Sequence, residues 1–455
     1  MWYAFPTGEE IFMSGKDKWS SKFGFIMASA GSAVGLGNLW KFPYMASRHG
    51  GGMFLLFYVI FALMIGVPVL LSELAIGRYA GKNAVDSCRA IAPKWGFAGM
   101  LGILGSLFVL AFYGTVGGWV IKYFLLCLAD GLPSSDFFVE YTSHSAEPVI
   151  YQLIFCLICG AIVAFGVSGG IEKASKLLLP LLLIFLTAVM LYTLRLPGAA
   201  EGARFFLLPD LAAADIKLHE IIIAAMGQMF FSLSLGMGTL ITYGSYLSKN
   251  SDLPSSAVTI VVIDTIIAVI AGLAVIPAVY AAGLEPDAGP GLIFVTLPAV
   301  FGRMSGGRYI AAAFFFLVLI AAITSAVSLI EVIASFVGER MKLSRPYAVT
   351  VSTAASALLG IPASLSSGVL KDVTIGGLSM FELPNFLADN IIMPLGAVSI
   401  CLLTGRIWGM KNAAREMSIG SRTNPKMFRI LGAILNYAAP AVIIIVFISS
   451  LTGLI

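Results

Sequence analysis

Apolar runs of about 20 residues, the length a helix needs to cross a bilayer, recur along the whole chain with short polar stretches between them. The pattern predicts eleven spans, at 23–48, 53–79, 97–129, 149–167, 174–194, 219–247, 256–283, 309–338, 347–363, 383–404 and 428–454. The expected fold is an all-α polytopic membrane protein. Two spans are interrupted. Span 1 contains Gly31-Ser32-Ala33-Val34-Gly35-Leu36-Gly37-Asn38, and span 6 contains Ser234-Leu235-Gly236-Met237-Gly238. Each glycine weakens a helix by about 1 kcal/mol relative to alanine. Backbone freed at bilayer depth is tolerated only where protein or a water-filled cavity satisfies it. Paired broken spans point to the binding site of a transporter.

Five spans counted from each break give a first repeat over 23–195 and a second over 196–405, leaving span 11 (428–455) outside the repeat. A repeat with an odd number of spans runs in opposite directions in its two copies. This predicts a 5+5 inverted-topology architecture with the site at the midplane. The stretch 284–308 reads as an outer loop. In it Pro286, Pro290 and Pro298 surround Leu292-Ile293-Phe294-Val295, a run that suits a short helix dipping toward the vestibule. The 406–427 loop is basic. Gly170 and Pro180 bracket nine residues at one end of span 5, which suits either an unwound end or a simple kink or helix start.

Loop charge sets orientation. With the N-terminus inside, the inner side collects 19 Lys and Arg and the outer loops 6, while Lys41, Arg48 and Lys122 lie in or beside spans. The expectation is a multi-pass plasma-membrane protein with residues 1–22 cytoplasmic and the C-terminus outside. The first apolar run is too long for a signal peptide. Composition agrees: 59% of residues are apolar and 11% charged, against about 25% charged in soluble domains. The net charge of +4 reflects the loop bias and gives no nucleic-acid signal. Cys156 and Cys159 form a C-x-x-C on an apolar helix, where small core residues are the simpler reading. His49, His144 and His219 form no metal-ligand pattern.

Several polar residues fall inside spans. An unwound Gly31–Gly37 offers carbonyls to a cation and amides to an anion. Asn38, Gln228, Ser232, Ser234, Thr324 and Ser325 add oxygen ligands of the kind hard cations take. Ser and Thr in spans also commonly bond their own helix or pack helices closely. Asp264 stands apart. A carboxylate at span centre costs at least about 2.5–3.5 kcal/mol, so a function is the default reading. Glu73 and Glu331 are further intramembrane acids, and Glu73 suits a structural hydrogen-bonding role.

Gly31-Ser-Ala-Val-Gly-Leu-Gly-Asn-Leu-Trp-Lys-Phe-Pro-Tyr44, followed by Gly50-Gly-Gly52, resembles the first-helix signature of the neurotransmitter:sodium symporters, and Phe230–Gly238 resembles their sixth helix. The resemblance runs in order along essentially the whole chain, in the manner of the bacterial multi-hydrophobic amino acid transporters. It implies one substrate and two sodium ions, and no organic cofactor. By position, the first sodium would meet the Ala33 carbonyl, Asn38, Ser232, Asp264 and the substrate carboxylate. The second would meet the Gly31, Val34 and Ala321 carbonyls and the Thr324 and Ser325 hydroxyls. The substrate carboxylate would meet the Leu36 and Gly37 amides and the Tyr113 hydroxyl, and its ammonium the carbonyls around Phe231, Ser232 and Ser234. Half-helix termini of matching polarity favour this arrangement.

The resemblance also implies gates. Lys41 takes the place of an outer arginine, with Asn385 at the aspartate position and Glu382 three residues earlier. Lysine lacks the bidentate fork of arginine, so a Lys41–Glu382 or water-mediated closure is expected. Lys16 and Glu339 match the inner pair, with Trp19 and Tyr246 packed around it. Asp264 stands where chloride-dependent relatives have asparagine, which implies chloride independence. Ser232, Gln228 and Tyr58 still resemble the other chloride-site positions. Gly35 stands where monoamine transporters carry an aspartate, so the substrate brings its own carboxylate. By the same resemblance, Val109, Tyr113, Val116, Phe231, Met237 and Leu329 would form an apolar side-chain pocket, with Ser325 beside it. The expected function is sodium-coupled import of hydrophobic L-amino acids by alternating access, by a single chain in the lipid bilayer. A proton-coupled carrier of the same fold and a non-transporting amino-acid sensor are the alternatives. No nucleophile–base set or cofactor loop suggests an enzyme.

Overall fold

The computed structural model describes residues 18–129, 131–134, 136–210, 217–283, 291–304, 306–421 and 425–451. Among these, nine helices are long and apolar enough to cross a membrane. Two broken spans complete a set of eleven. Lys22–Ala33 and Gly37–Arg48 are bent by 52° at their break. Leu218–Ser232 and Thr239–Gly244 flank the second break.

Local sequence explains the element ends. Ser21 caps span 1 by accepting the Gly24 amide at 3.1 Å, and Asp252 caps span 7 by accepting the Ser255 amide at 3.0 Å, satisfying amides that a helix start leaves free. Gly81 at φ 62° ends span 2 and Gly283 at φ 62° ends span 7, the left-handed exit that glycine permits at least cost. Span 8, Gly307–Met341, has 35 residues and is about 52 Å long at 1.5 Å per residue. It is the central post. Its face is buried from Phe314 to Ala334 against spans 1, 3, 4, 5 and 9.

Span 5 decides between the two readings of Gly170 and Pro180. Gly166 at φ 95° turns the chain, Val167–Ile171 forms one wide helical turn, and Glu172–Thr193 continues as α-helix through Pro180. The glycine belongs to a helix start. In the 284–308 loop, residues 284–290 and 305 lie outside the described set. Leu292–Gly302 is a short helix whose Leu292, Ile293 and Phe294 are buried. Phe294 stacks on Phe138 with centroids 5.2 Å apart, and its carbonyl accepts the Tyr123 hydroxyl at 3.0 Å. A two-stranded hairpin, Thr374–Ile375 with Leu378–Ser379, lies between spans 9 and 10. It turns on Gly376 and Gly377, both at positive φ. The hydropathy pattern, tuned to helices, does not register it.

The five cysteines are buried and unbridged. The face bearing Lys22, Arg78 and Arg345 is the basic face. Its buried Arg78 side chain ties span 2 to Glu416 at 2.9 Å and to the Ser251 carbonyl at 2.6 Å.

Candidate functional site

The two breaks meet at a buried oxygen cluster. Asp264 of span 7 is fully buried. Its Oδ1 accepts Asn38 Nδ2 at 2.8 Å, and its Oδ2 accepts the Tyr58 hydroxyl at 2.9 Å and the Ser232 hydroxyl at 3.0 Å. Asn38 belongs to the resumed half of span 1, Tyr58 to span 2 and Ser232 to the first half of span 6. Asn38 Oδ1 also accepts the Gly35 amide at 3.4 Å, so one side chain closes the span 1 break and reaches the acid. Gln228 donates to the Gly37 carbonyl at 3.1 Å, and its Oε1 is buried without a protein partner. A carboxylate at this depth with only neutral donors around it is costly. The cluster therefore suits a small cation.

A second group of oxygens lies one helix face away. A Cβ on Gly31 would stand 3.2 Å from Thr324, so span 1 packs directly on span 8 here. Thr324 Oγ1 donates to the Ala321 carbonyl at 3.1 Å, which is the common own-helix bond. Val34 caps the first half-helix in an extended conformation. Ser32 and Ser328 share a hydroxyl bond of 2.7 Å, and Ser234 donates to the Ser32 carbonyl at 3.3 Å. Ala33 lies in the last turn before this break.

Tyr113 of span 3 points into the break. Its hydroxyl interacts with Ser325 and with the backbone of Leu36 and Gly37. A Cβ on Gly35 would stand 2.7 Å from that hydroxyl and 3.0 Å from Ser325 Oγ. Above it opens a cavity of about 390 Å³ lined by Leu36, Gly37, Tyr113, Phe231, Trp119 and Phe381, with Lys41, Glu382 and Asn385 at its rim. Of the side-chain pocket expected from sequence, Tyr113 and Phe231 line this cavity, whereas Val109, Val116, Met237 and Leu329 are buried at 3% exposure or less.

The gate on the opposite face corrects the sequence reading. Lys41 Nζ pairs with Asp389 Oδ2 at 2.8 Å, not with Glu382 or Asn385. The same ammonium stands 4.2 Å from the Phe231 ring centre, a cation–π contact. Glu382 accepts the Ser379 amide at 2.9 Å and so finishes the hairpin. Asn385 lines the cavity one turn before Asp389. The offset follows from the wide helical turns of Leu387–Ile392, a local geometry that residue spacing alone does not reveal.

On the basic face, Lys16 lies outside the described residues. Glu339 accepts the Asn83 amide at 2.9 Å and its side chain at 2.7 Å. Trp19 Nε1 donates to the Tyr243 carbonyl at 3.0 Å, and its ring lies 6.4 Å from that of Tyr246. Tyr246 donates to Glu331 at 2.6 Å, and Arg345 pairs with the same acid at 2.8 Å. Sequence reading had not joined Glu331 to Arg345, although an acid deep in span 8 fourteen residues before an arginine was the available signal. It had also not found Glu172. This buried acid at the head of span 5 accepts the Ser20 amide at 2.7 Å and the Ser21 hydroxyl at 2.8 Å.

Two broken spans around a buried oxygen cluster, with side-chain closures on both faces, define a secondary transporter. A profile of the sodium:neurotransmitter symporter family matches residues 16–150 and 142–454, and the chain belongs to that family. It is a sodium-dependent transporter and a multi-pass membrane protein, not an enzyme. The sodium-dependent transporter YhdH of Bacillus subtilis is 38% identical, over 95% of this chain and 97% of its own. A sodium-dependent transporter of Haemophilus influenzae is 35% identical over 96% and 98%. The crystal structure of MhsT in complex with L-phenylalanine superposes with a TM-score of 0.88 at 41% identity, covering 96% of this chain and 100% of that one.

Proposed function

We propose that the protein imports hydrophobic L-amino acids together with sodium, independently of chloride. The observation that carries this reading is the Asp264 cluster. Its carboxylate takes the hydroxyls of Tyr58 and Ser232 and the amide of Asn38, all within 3.0 Å. A fixed negative charge stands where an anion would otherwise be needed beside a cation. In this reading one sodium binds to the Ala33 carbonyl, Asn38, Ser232 and Asp264. A second binds to the Gly31, Val34 and Ala321 carbonyls with Thr324 and Ser325.

The substrate carboxylate meets Tyr113 and the Leu36 and Gly37 amides, and the substrate ammonium meets the carbonyls near Phe231, Ser232 and Ser234. Its side chain faces Val109, Val116, Met237 and Leu329, with no charge to greet an acidic or basic group. The L-phenylalanine bound to MhsT supports that class. The basic face is cytoplasmic, the two five-span repeats rock about the site, and Lys41–Asp389 closes the outer side. The membrane potential adds about 2.3 kcal/mol per net charge per 100 mV.

The test is uptake of labelled leucine and tryptophan into proteoliposomes under an inward sodium gradient, against potassium or choline, with chloride absent. Uptake with sodium only is expected. Uptake that also requires chloride overturns the role given to Asp264, and uptake of neither amino acid overturns the substrate class.

A further inference from the structure

Span 3, Gly96–Ala129, carries Gly102, Ser106, Val109, Tyr113 and Val116 at spacings of four, three, four and three. They therefore share one stripe of the helix. The last three belong to the proposed side-chain pocket; the first two have no role so far. The structure brings both against the span 6 break. Ser106 Oγ donates to the Met237 carbonyl at 2.9 Å in a buried bond. A Cβ on Gly102 would stand 2.8 Å from the Gly238 nitrogen and 2.9 Å from the Met237 carbonyl carbon. Real side chains do not approach backbone so closely. Glycine at 102 lets the peptide that joins Met237 to Gly238 lie directly on span 3.

The far side of the break is held as well. Glu73 Oε1 accepts the Gly236 amide at 2.7 Å. A Cβ on Gly396 of span 10 would stand 2.7 Å from the Gly236 carbonyl oxygen. Gly236 and Gly238 sit at φ 80° and 72°, so Met237 hangs between two left-handed joints, and only the Gly238 carbonyl, which accepts the Thr242 amide at 2.9 Å, begins the next helix. Its position is set from outside, by what grips the backbone. On span 3 the grip at Ser106 lies only about 4.5 Å along the axis from Val109.

We propose that Gly102 and Ser106 are specificity-determining positioning residues. Together they fix how close the Met237 side chain stands to Val109, and so the width of the slot that receives the substrate side chain. This rests on the hydrophobic amino-acid reading above. A methyl at 102 drives the break away from span 3, and loss of the hydroxyl at 106 releases it in the same direction. Both widen the slot. A small aliphatic side chain then loses its contacts, whereas a large aromatic one keeps them.

The experiment is sodium-dependent equilibrium binding of labelled leucine and labelled tryptophan to purified protein. It compares the wild type with S106A, S106T and G102A. In S106A the ratio of leucine Kd to tryptophan Kd is expected to rise about fivefold, the scale of one hydrogen bond. S106T keeps a hydroxyl and restores the ratio, and G102A raises it further. Should G102A fail to fold, S106A and S106T decide the matter alone. Equal weakening of both ligands in S106A, or no change in either, overturns the proposal, because a purely structural defect moves both together. Wild-type protein that binds neither amino acid in sodium overturns the substrate reading instead, and this inference with it.

Discussion

The two broken spans look alike as sequence, and their glycines do different work. In span 1, Gly31, Gly35 and Gly37 all keep negative φ; none is among the left-handed residues. They are small because something stands against them: Thr324 at 3.2 Å from a Cβ on Gly31, the Tyr113 hydroxyl at 2.7 Å from one on Gly35, and the Phe231 ring at 2.6 Å from one on Gly37. In span 6 the backbone itself is left-handed at Ser234, Gly236 and Gly238, with φ of 51°, 80° and 72°. The first break is a site of close approach, where missing side chains make room for neighbours and ligand. The second is a true hinge, where missing Cβ atoms permit the fold of the chain. Asp264 joins them, since Asn38 comes from one and Ser232 from the other.

The largest expected effect comes from cutting that joint. Asp264→Asn removes the charge and keeps the shape. Truncating one partner of a buried charge pair costs about 2–5 kcal/mol, so sodium-dependent substrate binding in chloride-free buffer should fall by well over tenfold. Tyr58, Ser232 and Gln228 remain as donors, so added chloride should restore part of it. Binding by D264N that is normal without chloride would show that the two breaks are not coupled through this acid.

A pair of alanine substitutions separates the two kinds of break. Gly236→Ala places a Cβ on a left-handed residue, which costs about 1–2 kcal/mol, and sets it 2.5 Å from the Met393 carbonyl. Its melting temperature should drop by several degrees. Gly35→Ala has no left-handed penalty, and its Cβ meets the Tyr113 hydroxyl at 2.7 Å and the Cβ and Oγ of Ser325 at 3.0 Å, side-chain atoms and not backbone. Its melting temperature should stay near that of the wild type while substrate affinity is lost. Tyr113→Phe combined with Gly35→Ala removes the clashing oxygen but also a proposed carboxylate ligand, so it should not recover binding. Equal thermal losses in G35A and G236A would erase the distinction.

Much of this was legible in the sequence. Eleven apolar runs and two glycine clusters mark the spans and their breaks, because hydropathy and helix cost are local properties. Asp264 stood out for the same reason: a lone carboxylate in an apolar helix is expensive wherever it falls. The reason for each glycine was hidden. Whether Gly35 serves φ or space depends on Tyr113 and Ser325, which lie 78 and 290 residues away. The partner of Lys41 was hidden too. The family resemblance pointed to Asn385 or Glu382, but wide helical turns carry Asp389 into reach and the hairpin draws Glu382 aside. Contacts made by long-range packing leave no periodic trace along the chain.

Ser234 offers the finest test of the hinge, since it is a non-glycine residue held at φ 51°. That conformation costs an ordinary residue about 1–2 kcal/mol. Its hydroxyl returns part of this through the 3.3 Å bond to the Ser32 carbonyl across the two breaks. Ser234→Ala keeps the strain and loses the bond, so it should lower the melting temperature by a few degrees. Ser234→Gly loses the same bond and releases the strain, offset in part by the greater freedom of glycine in the unfolded chain. It should therefore melt above S234A, close to the wild type. The hydrogen bond is absent from both variants, so the gap between them measures the strain less the unfolded-chain freedom that glycine adds. If S234A and S234G melt together, the strain at 234 is no larger than that entropic offset, and the contrast between a hinge in span 6 and a gap in span 1 narrows to the two glycines that follow it.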